Sequence, residues 1–266
     1  MTSTVFVTGA TGRQGFAVAR QLLDIGWTVR ATARHMESPK AKELQRIGAE
    51  ITPGDWENEA ILKKVIDGCT LVFLNVVPNL ATFTSEVPHA KRILDIAKDS
   101  GVKHVVYSSG MAIKDLEKGK YHNPDHPVNM MYPDLVRDNI LRTAYTPETR
   151  LPQVDVDDIA KFAVAAFREP ERFNRKFVPI ASEKLSLAEI TQQLGQATGR
   201  SFRTTFLANE EAEEKMATDF FIAIQVVARD LEDKVDIEDV QAWGIPLTTF
   251  REFLRKEDSW VKSTYK

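Results

Sequence analysis

One cysteine, Cys69, occurs in the 266 residues. An intrachain disulfide is therefore impossible, and a reducing compartment is expected. Gly68 precedes it and the apolar run Leu71 to Leu74 follows closely, which is the setting of a small buried residue. No apolar run approaches the ~20 residues of a membrane span. No basic region with an apolar stretch precedes the first strand pattern, Thr4 to Thr8, so no secretory signal is expected. Long runs of Lys or Arg are also missing, and 35 basic against 38 acidic residues leave a net charge of −3. That balance gives no electrostatic footprint for direct nucleic-acid or membrane binding. The cytoplasm is the expected location, with the nucleus also open to the protein.

Hydrophobic residues make up 43% and charged residues 27%, enough to bury a sizeable core. The length suits one large α/β domain, alone or with a smaller lobe. Strand and helix patterns alternate through the first hundred residues. Val5 to Thr8, Trp27 to Ala33, Ala49 to Thr52, Leu71 to Val76 and Val102 to Ser108 read as short apolar strands. Between them fall helices after Gly15, over Lys40 to Ile47, Asn58 to Ile66 and Pro88 to Asp99, several closed by glycine. This alternation predicts a doubly wound parallel sheet of the Rossmann type, in the α/β class.

Ser109 to Val154 holds five of the twelve prolines and no long periodic segment. Val156 to Phe167 then reads as a helix, Lys176 to Ile180 as a strand, and Ser186 to Gly199 as a helix. The rest is expected to be a small helical lobe. Its acidic opening, Asn209 to Lys215, reads as a solvated helix face. The expected organisation is a dinucleotide-binding domain over 1–155. Residues 156–266 would hold the remaining sheet elements and a substrate or partner lobe.

The most informative segment is Gly9-Ala10-Thr11-Gly12-Arg13-Gln14-Gly15. Gly9 can take the tight turn off the strand, Gly12 lets the backbone approach a pyrophosphate, and Gly15 lets the helix pack closely. The helix N-terminus then offers free N–H groups to the anion. A glycine triplet alone is a weak signal, but here it follows a strand and opens a helix. Arg34 ends the second strand, where an NAD site usually carries an acidic residue about 20 residues beyond the loop. Arg34 together with Arg13 suits a 2′-phosphate, because guanidinium binds phosphate oxygens bidentately. NADP(H) is therefore expected over NAD(H). A solvated strand-end charge is the plain alternative for Arg34. Asp55 is a candidate for the adenine amino group, and Asn75 with Val76 for the ribose beside the nicotinamide. A turn role is the alternative for Asp55 and Asn75.

The segment Val7 to Gly15 resembles the opening of the NmrA-like family of atypical short-chain dehydrogenases/reductases. Arg34, the Gly54-Asp55 step, Val105 to Ser109, Tyr132-Pro133 and Leu151 to Ala160 are similar as well. The resemblance implies a Rossmann domain with a small C-terminal lobe and NAD(P) binding. It also implies one of two roles: an NADPH-dependent reductase, or a redox-sensing regulator acting on protein partners such as transcription factors. Relatives carry a Lys-bearing helix and a sixth strand after the fifth strand. Here Tyr121-His122-Asn123-Pro124-Asp125-His126-Pro127 runs directly into Val128-Asn129-Met130-Met131, so that helix and strand are missing.

Classical members use Tyr with Lys four residues later, the Lys lowering the Tyr pKa. Position i+4 holds Met111, Asp125, Val136 and Thr149 after Tyr107, Tyr121, Tyr132 and Tyr145. No such pair exists, and no Lys lies between Lys120 and Lys161. Ser108 and Ser109 are weak catalytic candidates at the fifth strand's end, with a capping or turn role equally open. His122 and His126 have metal-ligand spacing, but Pro124 and Pro127 favour a loop. Asp155, Asp157 and Asp158 read as cap and first-turn charge for the following helix, and no metal is expected. The expected function is an NADP(H)-binding, redox-sensing regulator that works through protein contacts. The alternative is an NADPH-dependent reductase of a small carbonyl or quinone. Hydride transfer needs only a positioned nicotinamide and an acceptor.

Overall fold

Val5, Phe6 and Val7 of strand β1 (Thr4–Val7) are all fully buried. A strand covered on both faces needs apolar side chains at both parities, and this one has them. In the computed structural model, which describes residues 2–76, 86–109 and 132–265, β1 is the centre of a parallel sheet. The chain continues through α1 (Arg13–Asp24), β2 (Thr28–Ala33), α2 (Pro39–Arg46), β3 (Glu50–Pro53), α3 (Glu59–Ile66), β4 (Leu71–Leu74), α4 (Glu86–Asp99) and β5 (His104–Tyr107). Beyond it come α5 (Pro133–Asp138), β6 (Ile140–Thr143), β7 (Arg150–Gln153), α6 (Val156–Arg168), α7 (Pro170–Phe173), β8 (Glu183–Ser186) and α8 (Leu187–Thr198). The last elements are β9 (Arg203–Phe206), α9 (Asn209–Met216), α10 (Phe220–Val227), a 3-10 segment (Ala228–Lys234), α11 (Ile237–Gln241), α12 (Phe250–Lys256) and α13 (Asp258–Thr264).

The sheet order is β3-β2-β1-β4-β5, with every pair parallel. Val5 faces Val29 in β2 on one side and Leu71 in β4 on the other. The strand order reverses between β1 and β4. In such α/β sheets the ligand crevice lies outside the carboxyl ends of the strands at that reversal. The fold is therefore the Rossmann type expected from the sequence.

Each face of the sheet buries its own set of side chains. On one face Val5, Val7, Val29, Ala31 and Phe73 pack with Val18, Ala19 and Leu22 of α1. Ala160, Ala163, Val164 and Phe167 of α6 join the same cluster. On the other face Phe6, Val72 and Leu74 meet Leu62, Val65 and Ile66 of α3 and Ile93, Ile96 and Ala97 of α4. Truncating one such fully buried residue, Leu22 for example, costs about 2–5 kcal/mol.

The described residues form two compact units. The first takes 2–76, 86–109 and 156–177, and the second takes 132–155 and 178–265. A cut at 155/156 would part α6 from the helix on which it packs. Arg20 Nη2 donates to Asp157 Oδ1 at 2.9 Å, and Gln21 Nε2 donates to the Asp157 carbonyl at 2.9 Å.

The second unit is helical with two short ladders, β6 with β9 in parallel and β7 with β8 antiparallel. None of these four strands was expected from the sequence: unlike the apolar runs of β1 and β4, they are mixed with polar residues, as in Arg150 to Gln153 and Arg203 to Phe206. α8 follows the expectation closely: Ser186 and Glu189 form a capping box at its start, and Gly199 closes it at φ 72°. α9 presents its glutamates to solvent and buries Ala212. Lys176 to Ile180 is a correction, since no strand forms there. A strand exists through its ladder, and no described strand pairs with the outer side of β5. Phe177 is left 46% exposed. Among the described residues no helix is long and apolar enough to cross a membrane.

His104 of β5 lies edge-on to Phe167 of α6, with ring centroids 6.1 Å apart. Burial holds its pKa below the ordinary value of 6.5. The unfolded chain therefore binds this proton more readily than the folded one. Stability contributed by neutral His104 is present above pH 6.5 and declines as pH falls below it. Thermal melts between pH 7.5 and 5 should show a steeper acid decline in the wild type than in His104→Gln. Parallel profiles would refute this assignment.

Candidate functional site

The loop after β1 is shaped by two close approaches. Gly9 adopts φ +59°, and its carbonyl accepts from Gly12 N at 2.8 Å. A Cβ on Gly15 would lie 2.3 Å from that same carbonyl oxygen and 2.8 Å from Ala10 N. α1 therefore starts against the turn itself, which only glycine allows at this position. Thr8 secures the turn from below. Its hydroxyl accepts from Asn75 N at 2.6 Å and donates to the Phe73 carbonyl at 3.1 Å.

Gly12 is the N-cap of α1 and supplies no side-chain cap, and the first turn holds no acidic residue. By contrast Ser38 caps α2, Asn58 caps α3 and Ser186 caps α8. Gly12 thus offers no side-chain acceptor to the first-turn N–H groups of α1, at the positive end of the helix dipole. A helix end of this kind suits an anion.

The predicted residues sit as follows. Thr11 is half-buried in the loop, while Gly12 and Arg13 are exposed. Arg34 is exposed directly after β2. Lys40, at the start of α2, was not identified from the sequence. Its ammonium donates to the Gly12 carbonyl at 3.3 Å and stands 5.4 Å above the Phe16 ring. Partial burial first, and then the neighbouring Arg13 charge, push its pKa below the ordinary lysine value. The one sequence cue was its place just past Ser38-Pro39, where it reads as an ordinary first-turn residue. Asp55 is exposed and closes a turn, Oδ1 accepting from Glu57 N at 3.0 Å and Asn58 N at 3.3 Å. Val76 is buried in the α3 and α4 cluster.

Gln14 is tied to the ends of two strands. Its Oε1 accepts from Asn75 Nδ2 at 2.9 Å and from Ser108 Oγ at 2.8 Å. Ser108, a catalytic candidate, is thus engaged with the glycine loop after β1, and half-buried Ser109 follows it.

No described tyrosine is poised for proton relay. The Tyr107 hydroxyl donates toward Glu86 at 3.4 Å on the surface. Tyr132 and Tyr145 bond to each other within the second unit, and burial raises both pKa values. The cysteine is buried: desolvation pushes the Cys69 thiol up to about 11, and its S–H points to the Val65 carbonyl at 3.3 Å, a setting that disfavours the thiolate.

Among the described residues no group of three metal-ligating side chains exists. The three aspartates near α6 each have a separate cation. Asp155 pairs with Lys256 at 2.6 Å, Asp157 with Arg20 at 2.9 Å, and Asp158 with Lys161 at 2.7 Å. His122, His126, Met130 and Met131 lie outside the described residues, as does the junction at 127/128.

The profile of the NmrA-like family matches residues 1–128 and again 128–254. The chain belongs to that family. An NmrA-like family domain-containing protein of Dictyostelium discoideum is 26% identical, with 78% of this chain and 81% of that protein covered. An NAD(P)H azoreductase of Xenophilus azovorans is 27% identical, with 80% of each covered. Among solved structures the negative transcriptional regulator NmrA in complex with NADP is similar. Its TM-score is 0.74 at 17% identity, with 98% of this chain and 97% of that chain covered. The same regulator in complex with NAD gives 0.68 at 19% identity, with 99% and 95% covered. At these identities the structures establish a shared fold.

The Gly9–Gly15 approach gives a direct test of the loop. Gly15→Ala should destabilise the protein by about 1–3 kcal/mol, as overpacking against backbone does. Gly12→Ala should cost less, since its Cβ would stand 3.0 Å from the Gly9 carbonyl. Equal denaturation midpoints for wild type and Gly15→Ala would contradict the geometry.

Proposed function

We propose that this chain binds NADP(H) at the α1 N-terminus and serves as a redox-sensing regulator through contacts with other proteins. The observation that carries the cofactor reading is the uncapped, acid-free first turn of α1 beside Arg13 and Lys40. The pyrophosphate would rest on the N–H groups after Gly12. Arg34, with Arg13 and Lys40, would meet the 2′-phosphate, and Asn75 with Ser108 would face the nicotinamide half. Asp55 and Val76 would line the adenine and ribose ends. A regulatory role is supported by the chemistry of the other end of the crevice. No described Tyr is set to relay a proton, and the Ser108 hydroxyl is engaged with Gln14. Cofactor occupancy would instead alter a surface read by a partner such as a transcription factor, in the cytoplasm or the nucleus.

A second reading is an NADPH-dependent reductase, favoured by the azoreductase among the relatives. When bound, the nicotinamide supplies the hydride. This chain's own residues would then orient the ring, and solvent would provide the proton.

Calorimetric titration with NADPH, NADP⁺, NADH and NAD⁺ tests the cofactor reading. NADPH should bind more tightly than NADH. Arg34→Asp should weaken NADPH by roughly 10- to 100-fold, the range for losing a hydrogen bond to a charged group. Gly12→Asp should abolish binding, because a carboxylate would meet the pyrophosphate. Unchanged affinities in Arg34→Asp would remove the 2′-phosphate assignment.

The two roles separate on turnover. A binding-competent sample should show no steady NADPH oxidation with a panel of quinones, enones and azo dyes. Sustained oxidation with any of them would establish the reductase and overturn the regulator.

A further inference from the structure

Gln14 joins three elements through one atom. Its Oε1 takes the Asn75 amide N–H from the end of β4 and the Ser108 hydroxyl from the end of β5. The Asn75 backbone is already fixed by Thr8, whose hydroxyl accepts from Asn75 N at 2.6 Å. Removing the Gln14 acceptor would therefore leave the strand ends in place and release only two side chains.

The direction of these bonds has a chemical consequence. Asn75 turns its donor toward Gln14, so its Oδ1 is the group left to offer elsewhere. Ser108 likewise gives its proton to Gln14 and retains its oxygen lone pairs. Both therefore present acceptors to a ligand over β4 and β5, where the nicotinamide half of a dinucleotide would lie across the crevice from the β2 end. Acceptors stabilise a positively charged ring more than a neutral one.

We propose that Gln14 is a positioning residue that sets the preference between oxidised and reduced cofactor by turning Asn75 and Ser108 acceptor-side out. The proposal rests on the cofactor reading above. It separates two functions within the loop: cations near Arg34 select the phosphate, and Gln14 tunes the redox end.

The test is calorimetry on wild type, Gln14→Met, Ser108→Ala and the double variant, with NADP⁺, NADPH and NADH. Methionine keeps the length of glutamine and removes the acceptor. In Gln14→Met the affinity for NADP⁺ should fall about fivefold relative to NADPH, the scale of one hydrogen bond. The NADPH to NADH ratio should stay constant, which general damage to the loop would not allow. The double variant should show less than the product of the single effects, because both substitutions break one clasp. An unchanged NADP⁺ to NADPH ratio, or equal shifts in both ratios, overturns the proposal. If the wild type binds no dinucleotide in any form, the cofactor reading fails and this proposal falls with it.

Discussion

The crevice depends on one steric constraint, the start of α1 against the Gly9 turn. With a Cβ position on Gly15 only 2.3 Å from the Gly9 carbonyl, the helix axis cannot draw back without losing contact with the sheet. That closeness brings the uncapped first turn to the reversal point between β1 and β4. It also brings Gln14 within reach of both strand ends. Thr8 supports the arrangement from within β1's own extension, since its hydroxyl fixes the backbone at Asn75. The loop, the helix dipole and the strand ends are thus one mechanical unit.

The electrostatics of the loop follow from the same packing. Lys40 is drawn over the Phe16 ring and onto the Gly12 carbonyl, where it is partly desolvated and faces Arg13. Two cations held near each other raise the energy of the ligand-free state. A phosphate between them would offset that repulsion, and the N–H groups of α1 would add to the attraction. The exposed pairs elsewhere, such as Arg46 with Glu43 or Lys63 with Glu59, have no comparable consequence. They are solvated and contribute about 0–1 kcal/mol each.

Much of the fold was legible because the first half obeys local rules. Apolar strands at both parities, glycine stops and an N-terminal loop motif are all short-range signals. The open helix end could also be read, since Gly12 and a first turn without acid are sequence facts. What could not be read were properties of pairing. Lys40 meets Gly12 across 28 positions and Gln14 meets Ser108 across 94, so no local pattern announces either. The four-residue ladders of the second unit failed for the same reason, and Arg150, Pro152 and Gln153 give β7 no strand-like composition. Asp55 was legible as two alternatives, and its Oδ1 bonds to Glu57 N and Asn58 N make the turn without deciding the other.

The two edges of the sheet differ in their chemistry. β3 ends the sheet with exposed Glu50 and with Pro53, which has no N–H to donate. Charge and proline are how native edges avoid further pairing. β5 ends the other side with His104, Val105, Val106 and Tyr107, a composition suited to an interior position. Yet among the described residues it pairs with β4 alone. Lys176 to Ile180 makes no ladder with it. The reversal between β1 and β4 lies at the centre of the sheet, away from both edges, so the geometry of the glycine loop does not depend on how those edges are covered.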